Sequence, residues 1–272
     1  MNIKFPTTSL HIITILIFCA LYLGACQGAL TPTPEASATP SPEVPATATL
    51  EAPAMPTAPL APQNIRIKKY PNLYTAFKIE VQGGATIITD PFLMDETVHA
   101  DIVTESHQHG DHTDVSSILG PYQLFKEPGI FDVAGVKITG VGGVHNKPAS
   151  MNQNNPNVIF VFDLGSIRVA EFGSQGDLPT PPMFAQIGKV DVLIIQVYKD
   201  SVYKLDMIDA QKIVEQLSPR VIIPAHGDPS INEELAKRLD VDFKQEPSGI
   251  LELSRSALDQ MKKPILVVLD HY

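Results

Sequence analysis

The chain is 272 residues long, with 20 Lys and Arg against 30 Asp and Glu, a formal charge of −10 and no Trp. That length holds one large domain or two small ones, and the acidic balance argues against a nucleic-acid partner, which would favour a basic face. The only cysteines are Cys19 and Cys26, so nothing after Cys26 can form a disulfide or offer a thiolate to a metal.

In chain order, the first element is an apolar run from Ile12 to Leu23, preceded by Lys4. It is short for a membrane-spanning helix and fits the apolar region of a secretory signal. Its end, Leu23-Gly-Ala-Cys26, resembles the lipobox of bacterial lipoproteins. That resemblance implies cleavage before Cys26, a lipid on its sulfur, and attachment to a membrane on the extracytoplasmic face. Residues 27–63 come next, rich in Pro, Ala and Thr, with no aromatic residue, Lys or Arg. Such a stretch cannot bury enough apolar surface to fold alone. Its prolines favour an extended polyproline II linker, and its Thr/Pro content is compatible with glycosylation.

Residues 64–272 read as the folded domain. Tyr74–Val81 alternates polar and apolar, Gly83-Gly84 makes a turn, and Ala85–Thr89 is an apolar strand ended by Asp90-Pro91, together predicting a hairpin. Val136–Val141, Val158–Phe162 and Ile167–Ala170 are further short strands. The second half alternates helix and strand. Pro182–Ile187 reads as a short helix and Val190–Val197 as a strand buried on both faces. Met207–Leu217 is helical, with Ile208, Ala210, Ile213, Val214 and Leu217 as its apolar set. A strand over Pro219–Pro224 precedes a helix over Asn232–Leu239. This pattern predicts α/β (α+β) layers, sheets covered by helices.

The densest chemistry comes directly after the strand Ala100–Thr104. Glu105-Ser-His-Gln-His-Gly-Asp-His112 places His107, His109, Asp111 and His112 within six positions. Imidazole and carboxylate suit zinc, manganese and iron. Alternate side chains of an extended segment point the same way, so His107 and His109 can converge on one ion. Asp111 and His112 sit where the chain turns and can face a second. His145 comes after Val136–Val141 through Gly142-Gly143-Val144, and His226 after Arg220–Ile223 through Pro224-Ala225. Ligands from several strand ends can meet at one sheet edge, which makes both histidines candidates. His11, His99 and His271 lack that placement and read as incidental. Asn146, Asn152, Asn154 and Asn155 could line an entrance or form only a loop. Tyr198 and Lys199, at another strand end, could contact an anionic substrate or lie on the surface.

On these residues, the domain resembles the metallo-β-lactamase superfamily, within it most closely the branch of ascorbate-6-phosphate lactonase and related metal-dependent hydrolases. The likeness covers nearly all of residues 70–250. It rests on Asp90-Pro91, H-x-H-x-D-H at 107–112, Gly-Gly-Val-His at 142–145, Val190-Asp-Val-Leu, and Ile-Pro-Ala-His at 223–226. The resemblance implies a four-layer αββα sandwich and one or two divalent ions, zinc or manganese. His107, His109 and His145 would hold the first, and Asp111, His112 and His226 the second. It also implies that Asp111 orients the attacking water, and that metal-bound hydroxide cleaves an ester, lactone, amide or phosphodiester bond of a small molecule.

One family element departs. The family usually carries a metal-bridging Asp in a Gly-Asp pair after the strand equivalent to Ile167–Phe172. A gapless match puts Ser174 there and Glu171 where a histidine is common. The nearest Gly-Asp is Gly176-Asp177. Three readings stand: Asp177 reaches the site through the loop Gly173–Gly176, Glu171 supplies the charge, or no bridge exists. In the last case a mononuclear or non-catalytic metal-binding module is the alternative to a hydrolase.

Overall fold

The computed structural model describes residues 64–71, 76–147, 155–227 and 229–269, without the side chains of 226, 227 and 229. The signal segment, Cys26, the linker, Asn152, Asn154, His11, His271 and the start of the strand expected from Tyr74 lie outside the described residues. The strands are β1 (Asn64–Lys69), β2 (Phe77–Val81), β3 (Thr86–Thr89), β4 (Val98–His99), β5 (Ile102–Thr104), β6 (Ile118–Leu119), β7 (Gln123–Phe125) and β8 (Gly129–Val133). They continue with β9 (Val136–Val144), β10 (Pro156–Leu164) and β11 (Ile167–Glu171), before helix α1 (Pro181–Ile187). Then come β12 (Val192–Val197), α2 (Met207–Leu217), β13 (Val221–Gly227), α3 (Asn232–Leu239), β14 (Asp242–Glu246), β15 (Ile250–Ser254), α4 (Arg255–Gln260) and β16 (Ile265–Leu269).

Two sheets carry the fold. One has the order β15-β1-β2-β3-β5-β7, the other β14-β16-β13-β12-β11-β10-β9-β8, and β4 pairs with β6. The expected hairpin is β2–β3, with Phe77 opposite Thr89 and Ile79 opposite Ile87. Its turn holds Gly83 at φ +70°, a conformation glycine adopts without Cβ strain. In the second sheet β11, β12, β13 and β16 run parallel, while β8 to β11 are antiparallel.

Period-two alternation places the core. Val192 and Ile194 of β12 join Ile67, Phe77, Ile79 and Ile102 of the first sheet in one buried cluster, with Phe160 and Phe162. Leu193, Ile195 and Val197 of the same strand point the other way, onto Ala210, Ile213 and Leu217 of α2 and Leu235 of α3. Every residue of β12, Gln196 included, is therefore buried, as expected of a strand covered on both faces. The outer face of the first sheet is covered differently. Tyr70, Ile88 and Val103 pack against Met94, Val98, Val115 and Tyr122, from the short strand β4, irregular chain and a 3₁₀ turn between residues 91 and 122. The result is a mixed α/β sandwich of two sheets. No helix among the described residues is long and apolar enough to cross a membrane.

Helix α2 differs in one respect from its sequence pattern. Met207, not Ile208, faces the core, and Ile208 is 52% exposed. One residue step turns a helix by about 100°, so the buried stripe Met207–Ala210–Ile213–Leu217 leaves Ile208 on the outside. A capping box fixes this phase: Asp206 accepts from the Ile208 and Asp209 backbone N–H groups, at 2.8 and 3.0 Å.

Candidate metal centre

The ends of several strands bring the histidines together. Strand β5, buried between the parallel strands β3 and β7, runs into Glu105–His112. The segment closes in a 3₁₀ turn at Gly110–His112, where the His112 N–H donates to the His109 carbonyl at 3.0 Å. Strand β9 extends to Val144, three residues beyond the strand expected there, so His145 comes directly after it. Its N–H donates to the Asn155 carbonyl at 2.9 Å. Strand β13 likewise continues to Gly227 and contains His226, whose side chain is outside the described residues. The continuation results from pairing with β12, which resumes between Val197 and Gly227 after a register shift.

His107 is the hub. Its ring centroid lies 4.7 Å from that of His109, 4.0 Å from His112 and 4.5 Å from His145, and His109 and His145 are 4.6 Å apart. Single ligand atoms of His107, His109 and His145 all lie within 4.8 Å of one another, and so do those of Asp90, His107 and His112. Asp111 belongs to neither group: its side chain is 33% exposed, with Oδ2 3.8 Å from His112 Nε2. Asp177 also belongs to neither, and its Oδ1 accepts from the Leu178 N–H at 2.8 Å. His99 lies on β4, in neither group.

Asp90 is the residue whose role the sequence does not disclose. It is fully buried at the end of β3, with φ +44°, a left-handed conformation in which Asp is tolerated better than most residues. Its own N–H donates to the Thr104 carbonyl at the end of β5, which locks the two strand ends together. Asp90 Oδ1 accepts from the Ser106 N–H at 2.6 Å, and Oδ2 accepts from Ser106 Oγ–H at 2.6 Å and from His112 Nδ1 at 2.9 Å. Ser106 Oγ has one proton. Spent on Asp90, it leaves the oxygen to accept from His107 Nδ1–H, 3.0 Å away. The network thus assigns the proton to Nδ1 in both His107 and His112. In His107 it leaves the Nε2 lone pair for a ligand, the usual device for orienting metal-bound histidines. The sequence signal is a charged residue directly after an apolar strand and before a proline.

This donor set fits a borderline cation. His107 Nε2 is buried and has no hydrogen-bond partner among the described residues. Burial, then the neighbouring His112, His145 and His109, holds the His107 pKa down to about 2. Burial, then Lys204, holds His145 down to about 4. Both are neutral imidazoles at physiological pH, the form that binds metal. In the unfolded chain such groups titrate near pH 6.5. Below that pH the unfolded state takes up protons that the folded state refuses, so stability is lost as pH falls from about 6.5 towards 4. Chelator-treated protein is therefore expected to melt at lower temperature at pH 5 than at pH 7.5, with a smaller difference in His107→Gln. An unchanged difference in that variant would contradict the assignment.

The loop 173–176 closes the site from the second sheet. Gly173 has φ +54°, and a Cβ there would sit 2.3 Å from Ser106 Cβ and Oγ. At Gly176 a Cβ would meet the His145 carbonyl oxygen at 2.4 Å. The two glycines thus let this loop pack against both histidine-bearing segments. Asn157 holds it, accepting from the Ser174 N–H at 3.1 Å and donating to the Phe172 carbonyl at 3.1 Å. Ser174 is buried and brings no charge. Glu171 is fully buried beneath, with Oε1 accepting from the Gly173 N–H at 2.6 Å and Oε2 unpartnered among the described residues. Burial, then Asp90, pushes its carboxyl well above the usual range, favouring the neutral acid.

A two-sheet α/β sandwich with buried imidazoles converging at its strand ends defines a metal-centred class of protein. Residues 73–226, more than half of the chain, match the family described as the beta-lactamase superfamily domain. The chain belongs to the metallo-β-lactamase superfamily. Among solved structures it is similar to a candidate zinc-dependent hydrolase of that superfamily from Thermotoga maritima, at 30% identity and a TM-score of 0.61, over 76% of this chain and 100% of that one. A candidate metal-dependent hydrolase from Parabacteroides distasonis shares the fold at 18% identity and a TM-score of 0.53, over 77% and 94% of the chains. The metallo hydrolase Igni18 from Ignicoccus hospitalis shares it at 17% identity and a TM-score of 0.50, over 65% and 91%. Comparison with curated proteins gave no match.

Proposed function

We propose that the protein is a metal-dependent hydrolase of a small-molecule substrate, with His107, His109 and His145 holding its first ion. Asp111, His112 and His226 are the proposed ligands of a second. The observation that carries this reading is the relay from Asp90 through Ser106 to His107, which leaves a buried Nε2, unpartnered among the described residues, beside two further imidazoles. A bound zinc or manganese ion supplies Lewis acidity there and lowers the pKa of water to about 7. Asp90 holds the two imidazoles in their ligand tautomers, and Asp111, partly exposed beside His112, is the carboxylate proposed to orient the attacking water. The bond is an ester, lactone, amide or phosphodiester; the order of motifs favours the lactonase-like branch. The lipobox-like Leu23–Cys26 supports an exported protein, anchored to the membrane by a lipid on Cys26.

The test is turnover by zinc- or manganese-loaded protein on a panel of those four bond types. Turnover lost on chelation and restored by metal supports the reading. Binding of metal with no turnover on any of them would favour a non-catalytic module.

Ser174 bears on stoichiometry. Two cations at close range repel, and a neutral side chain there offsets little of that repulsion. This favours a strong first site and a weaker second one. Ser174→Asp is expected to tighten the second ion by about tenfold, as one added charged contact would. Competition against a chromogenic chelator measures it; an unchanged affinity would direct attention to Asp177 or Glu171.

A further inference from the structure

Lys204 lies on the segment 198–206 that joins β12 to α2, and that segment is fastened at several points. The Tyr198 N–H donates to the Leu205 carbonyl at 3.0 Å, and the Lys147 N–H donates to the Tyr203 carbonyl at 2.8 Å. Lys147 Nζ pairs with Asp209 at 2.6 Å and Asp206 at 3.5 Å, tying the chain just after His145 to the start of α2. Ser201 Oγ accepts from the N–H groups of Tyr203 and Lys204, at 3.2 and 2.9 Å. The backbone of Lys204 is thereby fixed beside the histidine cluster.

Its ammonium is turned into that cluster. Lys204 Nζ lies 3.0 Å from each ring nitrogen of His145 and donates to the His145 carbonyl at 2.7 Å. Lys147, two residues after His145, has two carboxylate partners; Lys204 has none among the described residues. An ammonium has three donors. Were the His145 lone pair committed to a cation, Lys204 would keep one acceptor for its three donors among the described residues, the His145 carbonyl. A partly buried cation in that position calls for an anion.

We propose that Lys204 is a specificity-determining residue that receives an oxyanion of the substrate, a carboxylate or phosphate group, beside the histidine cluster. This rests on the hydrolase reading above. It narrows the substrate to small molecules bearing an anionic group near the scissile bond. Lys204 then supplies binding and orientation by a charge-assisted hydrogen bond, while the carbonyl of His145 holds its ammonium in place.

The test uses the full chain, wild type and Lys204→Met, Lys204→Gln and Lys204→Arg, each loaded with zinc. Metal content is measured by mass spectrometry, and binding of inorganic phosphate and of acetate by calorimetry at neutral pH. The expected result is unchanged metal content throughout, with binding of at least one anion weakened about tenfold or more in the Met and Gln variants. The Arg variant keeps binding within a few-fold, and the tighter anion in the wild type identifies the group recognised. Equal binding by wild type and Lys204→Gln overturns the proposal, as does failure of the wild type to bind either anion. Wild-type protein without metal overturns the hydrolase reading itself, and the role of Lys204 with it.

Discussion

Replacing His107 and His109 together by alanine is expected to abolish binding of the first ion. The three imidazoles of that group come from two segments, and the double change leaves only His145. Loss of a mere outer-sphere partner costs metal affinity about 10–100-fold, and loss of two ligands costs more than that. The fold should survive, because removing His107 also removes a buried nitrogen that has no hydrogen-bond partner among the described residues. The cavity left behind offsets part of that gain. Metal content at background, with a melting temperature in chelator within a few degrees of the wild type, is the expected outcome. Metal retained at the wild-type level would show that the ion sits elsewhere.

Asp90→Ala is expected to have the largest effect on stability. Three buried donors converge on this carboxylate: the Ser106 N–H, the Ser106 hydroxyl and His112 Nδ1. Stranding one buried donor costs about 1–3 kcal/mol, and removing one side of a buried charged network about 3–5 kcal/mol. Alanine at φ +44° adds backbone strain. Relief of Glu171, which Asp90 crowds, returns part of this. A net loss of about 3–4 kcal/mol in denaturant unfolding is therefore expected. Asp90→Asn keeps the shape and costs less stability. It presents an amide N–H to one of the donors, so the tautomers of His107 and His112 are no longer fixed, and metal affinity is expected to fall about 10–100-fold. Unchanged metal affinity in Asp90→Asn would mean that the relay does not orient the ligands.

How much of this is legible in the sequence depends on the range of the signal. The hairpin β2–β3, the buried strand β12 and helices α1 to α3 carry local patterns, periodicity two or 3.6 with glycine or proline punctuation, and all are present. The short strands β4, β6 and β7 are two or three residues long and too brief for a period. Strands β14 to β16 and helix α4 are additions of the structure. β14 reads Asp-Phe-Lys-Gln-Glu, with no apolar alternation, and exists because it pairs in parallel with β16.

At the site, the H-x-H-x-D-H signature is local and stands out by density alone. Asp90 is visible only as the end of a strand. Its function depends on the parallel pairing of β3 with β5, which sets it beside Ser106, sixteen residues on. Lys204 gives no sequence signal, whereas Tyr198 and Lys199, at the strand end, read as possible anion contacts. Lys199 pairs with Glu234 at 3.0 Å on an exposed surface, and Tyr198 accepts from Gln196 Nε2 at 3.0 Å. Only the fold of the segment 198–206 shows which lysine turns towards the histidines.

The most direct test of the metal-centre assignment is the metal stoichiometry of the purified protein, after loading with zinc or manganese and desalting, by inductively coupled plasma mass spectrometry. At least one equivalent per chain is expected, with any second equivalent the more easily removed by chelator. No retained metal, from either loading, would contradict the assignment and leave a scaffold protein on a metallo-β-lactamase fold.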